Sequence, residues 1–128
     1  MKEIFKIEKR KIPVNVSISG KTGITIYRFI LDTGASHSIF DEDYLSAIGY
    51  KKNNIIKKEI FKGFGGKLIE VPIIKIKSIS CLGLIRRNFK LGFYKFPIDS
   101  FYKGILGVDF FINHKLSIDF KKGIIELE

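Results

Sequence analysis

Between Val14 and Ser19 apolar and polar residues alternate one by one, so the stretch IPVNVSIS from Ile12 to Ser19 reads as a half-buried strand with Pro13 near its start. The glycines of Gly20-Lys-Thr-Gly23 mark a turn. ITIYRFIL, from Ile24 to Leu31, is the returning strand, and this hairpin delivers the chain to Asp32. Beyond DTGASHSIF the period changes. Asp41 to Ile48 has acids in its first turn, apolar Tyr44, Leu45 and Ile48 at helical spacing and Gly49 as a stop, which predicts a short helix. Phe61-Lys-Gly-Phe-Gly-Gly-Lys67 gathers three glycines around one Phe between two β-like stretches and reads as a mobile hairpin tip. Glu70–Ile79 and Asn88–Phe96 are further strands. YKGILGVDFFINH then predicts a strand, a glycine turn and a short helix, and KLSIDF, the turn Lys121-Lys-Gly123 and IIELE form a last hairpin. With no linker or low-complexity segment, the pattern is that of a mostly β protein with one or two short helices, a single domain over residues 1–128.

Composition agrees and narrows the partners. A chain of 128 residues that is 45% hydrophobic has enough apolar side chain for one packed core. Abundant Ile and 12 Phe without a Trp favour strands. Cys81, the single cysteine, has no intramolecular partner and reads as a small core residue. The first residues, MKEIFKIEKRKIPV, lack the uninterrupted apolar core of a signal peptide, and no apolar run approaches a membrane span, so a cytoplasmic location is the expectation. A formal charge of +10, from 23 Lys and Arg against 13 Asp and Glu, raises a polyanion as partner. The charge is diffuse, however. Lysines alternate with Ile and Phe, as on the solvent face of strands, and there is no helical basic stripe, zinc spacing or aromatic RNA-binding signature. Nucleic acid is therefore not the expected partner, and no cofactor or metal is expected.

The candidate chemistry lies in FILDTGAS, residues 29 to 36, where an acidic side chain leaves an apolar run and enters a glycine turn. A buried charge costs several kcal/mol unless something pairs with it, so such a position points to a structural hydrogen bond or to catalysis. An internal echo bears on this. Tyr27-Arg-Phe-Ile-Leu-Asp32 resembles Tyr102-Lys-Gly-Ile-Leu-Gly107, and a helix-like segment follows each copy. The first copy ends on Asp32 and the second on Gly107. The echo suggests two similar halves with one carboxylate between them.

The order of hairpin, ILDTGAS, glycine-rich segment, GILGVDFF and LSIDF resembles the retropepsins, the single-domain retroviral-type aspartic proteases, over most of the chain. The resemblance implies a closed β-barrel with a flap hairpin, acting as a symmetric homodimer on a polypeptide. Peptide hydrolysis by this chemistry needs two Asp side chains sharing a proton, one serving as base toward water and the other as acid toward the carbonyl oxygen. One Asp-Thr-Gly per chain supplies half of that, so Asp32 would meet its own copy across a two-fold axis. The resemblance further implies that Thr33 hydrogen-bonds across the axis and that the Gly34 N–H points toward the carboxylate. Gly63, Phe64, Gly65 and Gly66 would form the flap, and Ile105, Leu106 and Gly107 would pack beneath the active-site loop and line a pocket. Ala35 has no hydroxyl to donate to Asp32, which implies a mildly acidic optimum.

Rival chemistries are weaker. Ser36-His37 invites a nucleophile–base reading, but adjacent residues do not normally face each other and no third group is evident in the sequence. His37 and His114, the two histidines, are expected at the surface or as caps, and Asp41, Glu42 and Asp43 as a helix start. Two functional alternatives stand beside proteolysis: a retropepsin-like module kept for binding or dimerisation, and a basic polyanion-binding protein.

Overall fold

The computed structural model describes residues 1–128. Ten strands and two short α-helices follow one another as β1 (Lys2–Ile4), β2 (Ile12–Ser19), β3 (Ile24–Leu31), β4 (Ile39–Asp41), α1 (Glu42–Ala47), β5 (Ile55–Lys62), β6 (Leu68–Cys81), β7 (Leu84–Tyr94), β8 (Gly104–Leu106), α2 (Val108–Phe111), β9 (Leu116–Asp119) and β10 (Ile124–Leu127). The fold is thus mostly β. The first hairpin has the bounds that alternation predicts. The two middle strands run longer than their patterns suggest. The three-residue β1 and β4 were not foreseen, because a strand that short shows no period.

Seven strands form one sheet in the order β2-β3-β8-β4-β7-β6-β5, and β2 also pairs with β6 through Ser17–Ser19 and Ser78–Ser80, so the pairing path returns to its starting strand. The separate sheet β1-β10-β9 ties the two chain ends together. Two pairings are parallel, β3 with β8 and β4 with β7. Through the first, Leu31 stands beside Leu106, and the chain enters and leaves the segment around Asp32 with its flanks already fixed.

Inside the curl lies a core of 22 residues that includes Val14, Val16, Ile18, Phe29, Phe40 and Phe110. Each of these is 1% exposed or less. Fully burying such side chains contributes about 1.5–3 kcal/mol apiece relative to leaving them exposed. One charged residue is buried with them. Asp41, 3% exposed, caps α1 by accepting the Asp43 N–H at 3.0 Å and accepts the Phe96 N–H at 3.0 Å with its other oxygen. The acids at Asp41–Asp43 are therefore a helix start, and Asp41 also anchors the start of the β7–β8 loop. No helix is long and apolar enough to cross a membrane.

Cys81 is buried, and burial, with a smaller contribution from Glu3, pushes its thiol up to about 12. A raised thiol pKa means that the folded state holds the proton more tightly than the unfolded chain. The associated stability is therefore complete below the unfolded value of about 8.5 and is lost as pH rises from there toward the folded value. At pH 8 a thiol reagent is expected to leave the native protein unmodified and to label Cys81 only in denaturant. Prompt labelling of native protein would contradict this packing.

Candidate active site

Strand β3 ends at Leu31, and the chain turns at Asp32. The Asp32 N–H donates to the Leu106 carbonyl at 3.0 Å, the Ala35 N–H donates back to the Asp32 carbonyl at 3.1 Å, and the Gly34 N–H donates to the Asp32 carboxylate at 2.9 Å. The carboxylate is thus aimed by its own turn. Asp32, Thr33 and Gly34 are all exposed, so the carboxylate that the apolar context places near the core emerges from it into solvent. The reason is length: the apolar run ends at the last strand residue, and three small or polar residues carry the turn clear of the sheet.

GILG packs behind this loop. Gly104, Leu106 and Gly107 are buried, and Ile105 is half-buried in the wall of an apolar pocket of about 330 Å³. Gly107 is required by space. A Cβ there would lie 2.6 Å from the Ala35 carbonyl oxygen, which also accepts the Val108 N–H at 2.9 Å. The first copy of the internal echo therefore presents a carboxylate at its end, and the second presents a surface flat enough for the first to lean on.

Two further residues hold the loop, and the sequence did not single them out. Ser38, 1% exposed, donates its N–H to Asp109 Oδ2 at 2.9 Å and its hydroxyl to Asp109 Oδ1 at 2.7 Å, while its Oγ accepts the Gly107 N–H at 2.9 Å. This clasp fixes the far end of the Asp32 turn to the start of α2. In sequence the two residues share no spacing, since Ser38 follows Asp32 by six residues and Asp109 follows Gly107 by two.

Ser36 and His37, neighbours not expected to face each other, do so: Ser36 Oγ and His37 Nδ1 are 2.9 Å apart. A third group is also present, since His37 Nε2 lies 2.8 Å from Glu59 Oε2 on β5. His37 stacks on Phe61 with ring centroids 4.7 Å apart and is more than a surface cap. A hydrogen bond from Lys57, 2.7 Å away, holds the Glu59 carboxyl below its usual range against partial desolvation, with His37 and Lys90 adding to the depression. His114 lies near Arg86 and is exposed, consistent with a surface role.

The arms of the β5–β6 hairpin meet at Gly63–Lys67, where the Gly63 N–H donates to the Lys67 carbonyl at 2.7 Å. Gly65 and Gly66 have φ of 82° and 81°, left-handed values that side chains other than glycine rarely adopt. Phe64 projects into solvent at the tip, and the lower arms, through Phe61, Ile69 and Val71, wall the apolar pocket that Ile105 also lines.

Residues 14–110 match the family model described as aspartyl protease, and the chain belongs to that family. Among solved structures it is similar to a retropepsin-like aspartic protease from Rickettsia conorii, with a TM-score of 0.70 at 17% identity over 99% of this chain and 90% of that one. The fold is retropepsin-like. No curated protein matches the chain by sequence.

Removing the Asp109 carboxylate strands the buried N–H and hydroxyl of Ser38, at about 1–3 kcal/mol for each group left unsatisfied. Asp109→Ala is expected to lower the melting temperature by at least several degrees and to loosen the Asp32 loop, seen as faster amide exchange at Ala35 and Val108. Unchanged exchange at those amides would show that the clasp does not hold the loop.

Proposed function

We propose that the protein is an aspartic endopeptidase whose catalytic dyad consists of two Asp32 carboxylates, one from each subunit of a symmetric homodimer. The observation that carries this reading is a single Asp-Thr-Gly turn whose carboxylate is aimed by the Gly34 N–H and stands exposed at the apex of the loop. A second carboxylate brought to that apex would share one proton with the first, because two like charges that close do not both ionise. The ionised member takes a proton from water as it attacks the peptide carbonyl, and the protonated member donates to the carbonyl oxygen. Thr33, exposed beside Asp32, would bind the partner's loop across the two-fold axis.

The β5–β6 hairpin is the flap in this reading. Its glycine tip folds over the bound polypeptide, Phe64 gains a partner there, and Ile105 and Phe61 contact an apolar substrate side chain. Polyanion binding has less support, because the lysines are spread over several strand faces. A module retained only for binding would leave the aimed carboxylate without a task.

The experiment is hydrolysis of a peptide library followed across a dilution series, with Asp32→Asn alongside. Specific activity is expected to fall as the dimer dissociates, and Asp32→Asn to abolish turnover while keeping the fold and the dimer. Constant specific activity through the dissociation range would remove the shared dyad. Near-normal hydrolysis by Asp32→Asn would move the chemistry to another residue. An intact dimer without hydrolysis of any peptide would leave the binding module.

A further inference from the structure

Strand period places the apolar pocket beside Ile105 and a second pocket of opposite character on one face of the sheet. Along β5, Lys57 and Glu59 line the second pocket and Phe61 the first. Along β6, Ile73 lines the second, and Val71 and Ile69 the first; along β7, Lys90 and Gly92 line the second and Tyr94 the first. Each set is spaced by two residues and so points to the same side. The intervening Ile74, Ile76, Leu91 and Phe93 belong to the core on the other side. The two pockets therefore lie on one face of the sheet, with the His37–Phe61 stack between them.

The second pocket, about 430 Å³ in volume, is lined by four permanent cations, Lys57, Arg86, Arg87 and Lys90, against two carboxylates, Glu59 and Asp109. Both carboxylates are already engaged. Glu59 meets Lys57 and His37, and Asp109 accepts twice from Ser38. Arg86 is also occupied, donating to the carbonyls of Phe110 and Ile112. Arg87 and Lys90 take part in none of the molecule's ion pairs. The pocket thus keeps two cationic donors for an incoming group, in a site whose own anions are spent.

We propose that this pocket is a specificity site for an acidic side chain of the substrate polypeptide. At about 3.3 Å per residue, the two pockets are two to four strand positions apart. The acidic residue then stands two or four positions from an apolar residue seated beside Ile105, because alternate side chains of an extended peptide share a face. Arg87 and Lys90 donate charge-assisted hydrogen bonds to the carboxylate. The inference rests on the peptidase reading for the route of the peptide, but its own readout is affinity.

Fluorescent peptides with Phe at one position and Glu, Ala or Lys two or four residues away are titrated onto full-length Asp32→Asn protein by anisotropy, at low and physiological salt. The Glu peptide is expected to bind tighter than the Lys peptide by on the order of tenfold, with the preference shrinking as salt rises. An R87E/K90E double variant is expected to reverse it. Lys90→Gln, a milder change at an exposed position, moves affinity in the same direction by less if the double variant folds poorly. Equal affinities for Glu and Lys peptides, a preference untouched by these substitutions, or no binding by any peptide would overturn the proposal. Cleavage of the same peptides by wild-type protein is scored separately. A binding preference without cleavage refutes the peptidase reading alone, and cleavage indifferent to Glu or Lys, with equal affinities, refutes the pocket alone.

Discussion

The clasp between Ser38 and Asp109 is the contact on which the arrangement of the Asp32 loop depends. It joins two segments 71 residues apart in the chain, and its four polar partners leave no buried donor or acceptor unmatched. In a buried setting such a network favours one geometry strongly, because every alternative strands a polar group. Gly107 permits the approach, since its missing Cβ lets the Ala35 carbonyl come close enough to accept from Val108. The Asp32 turn is thereby held at both ends, by the Leu106 carbonyl at its start and by Ser38 at its finish.

With the loop held, the remaining sheet does two jobs with two faces. One face packs the 22-residue core, and the other lines the two pockets. Val71 and Ile73 are buried yet lie on the pocket side, which explains why β6 reads as nearly continuous apolar sequence in its first half. The His37–Phe61 stack lies between the two pockets, and the Glu59 pairings tie it to both the Asp32 loop and the hairpin arm. A histidine whose ring meets Ser36, Glu59 and Phe61 is thus a structural junction between the Asp32 loop and the β5–β6 hairpin.

The diffuse positive charge acquires local meaning in the folded chain. Lysines that alternate with apolar residues along a strand look equivalent in sequence. Lys57, though, is neutralised by Glu59, and Lys90, two strands away, faces the same pocket with no carboxylate bound to it. Which lysine is spent and which is available follows from neighbours across the sheet and not from neighbours in the chain.

Sequence by itself determined the mostly β class, the first hairpin, the helix starting at Asp41, the glycine tip and the turn that carries Asp32, because these depend on contacts within a few residues: period, turn chemistry and capping. The motif residues were legible for the same reason, as they are contiguous. Only the tertiary structure decided that Ser38 meets Asp109, that Asp41 also binds the Phe96 N–H, that Ser36, His37 and Glu59 form a chain, and that Asp32 is exposed. Alternation tells which side chains share a face but not which strand lies alongside. Short strands such as β4 have too few residues to show a period, and it is β4 and β8, three residues each, that set those long-range neighbours.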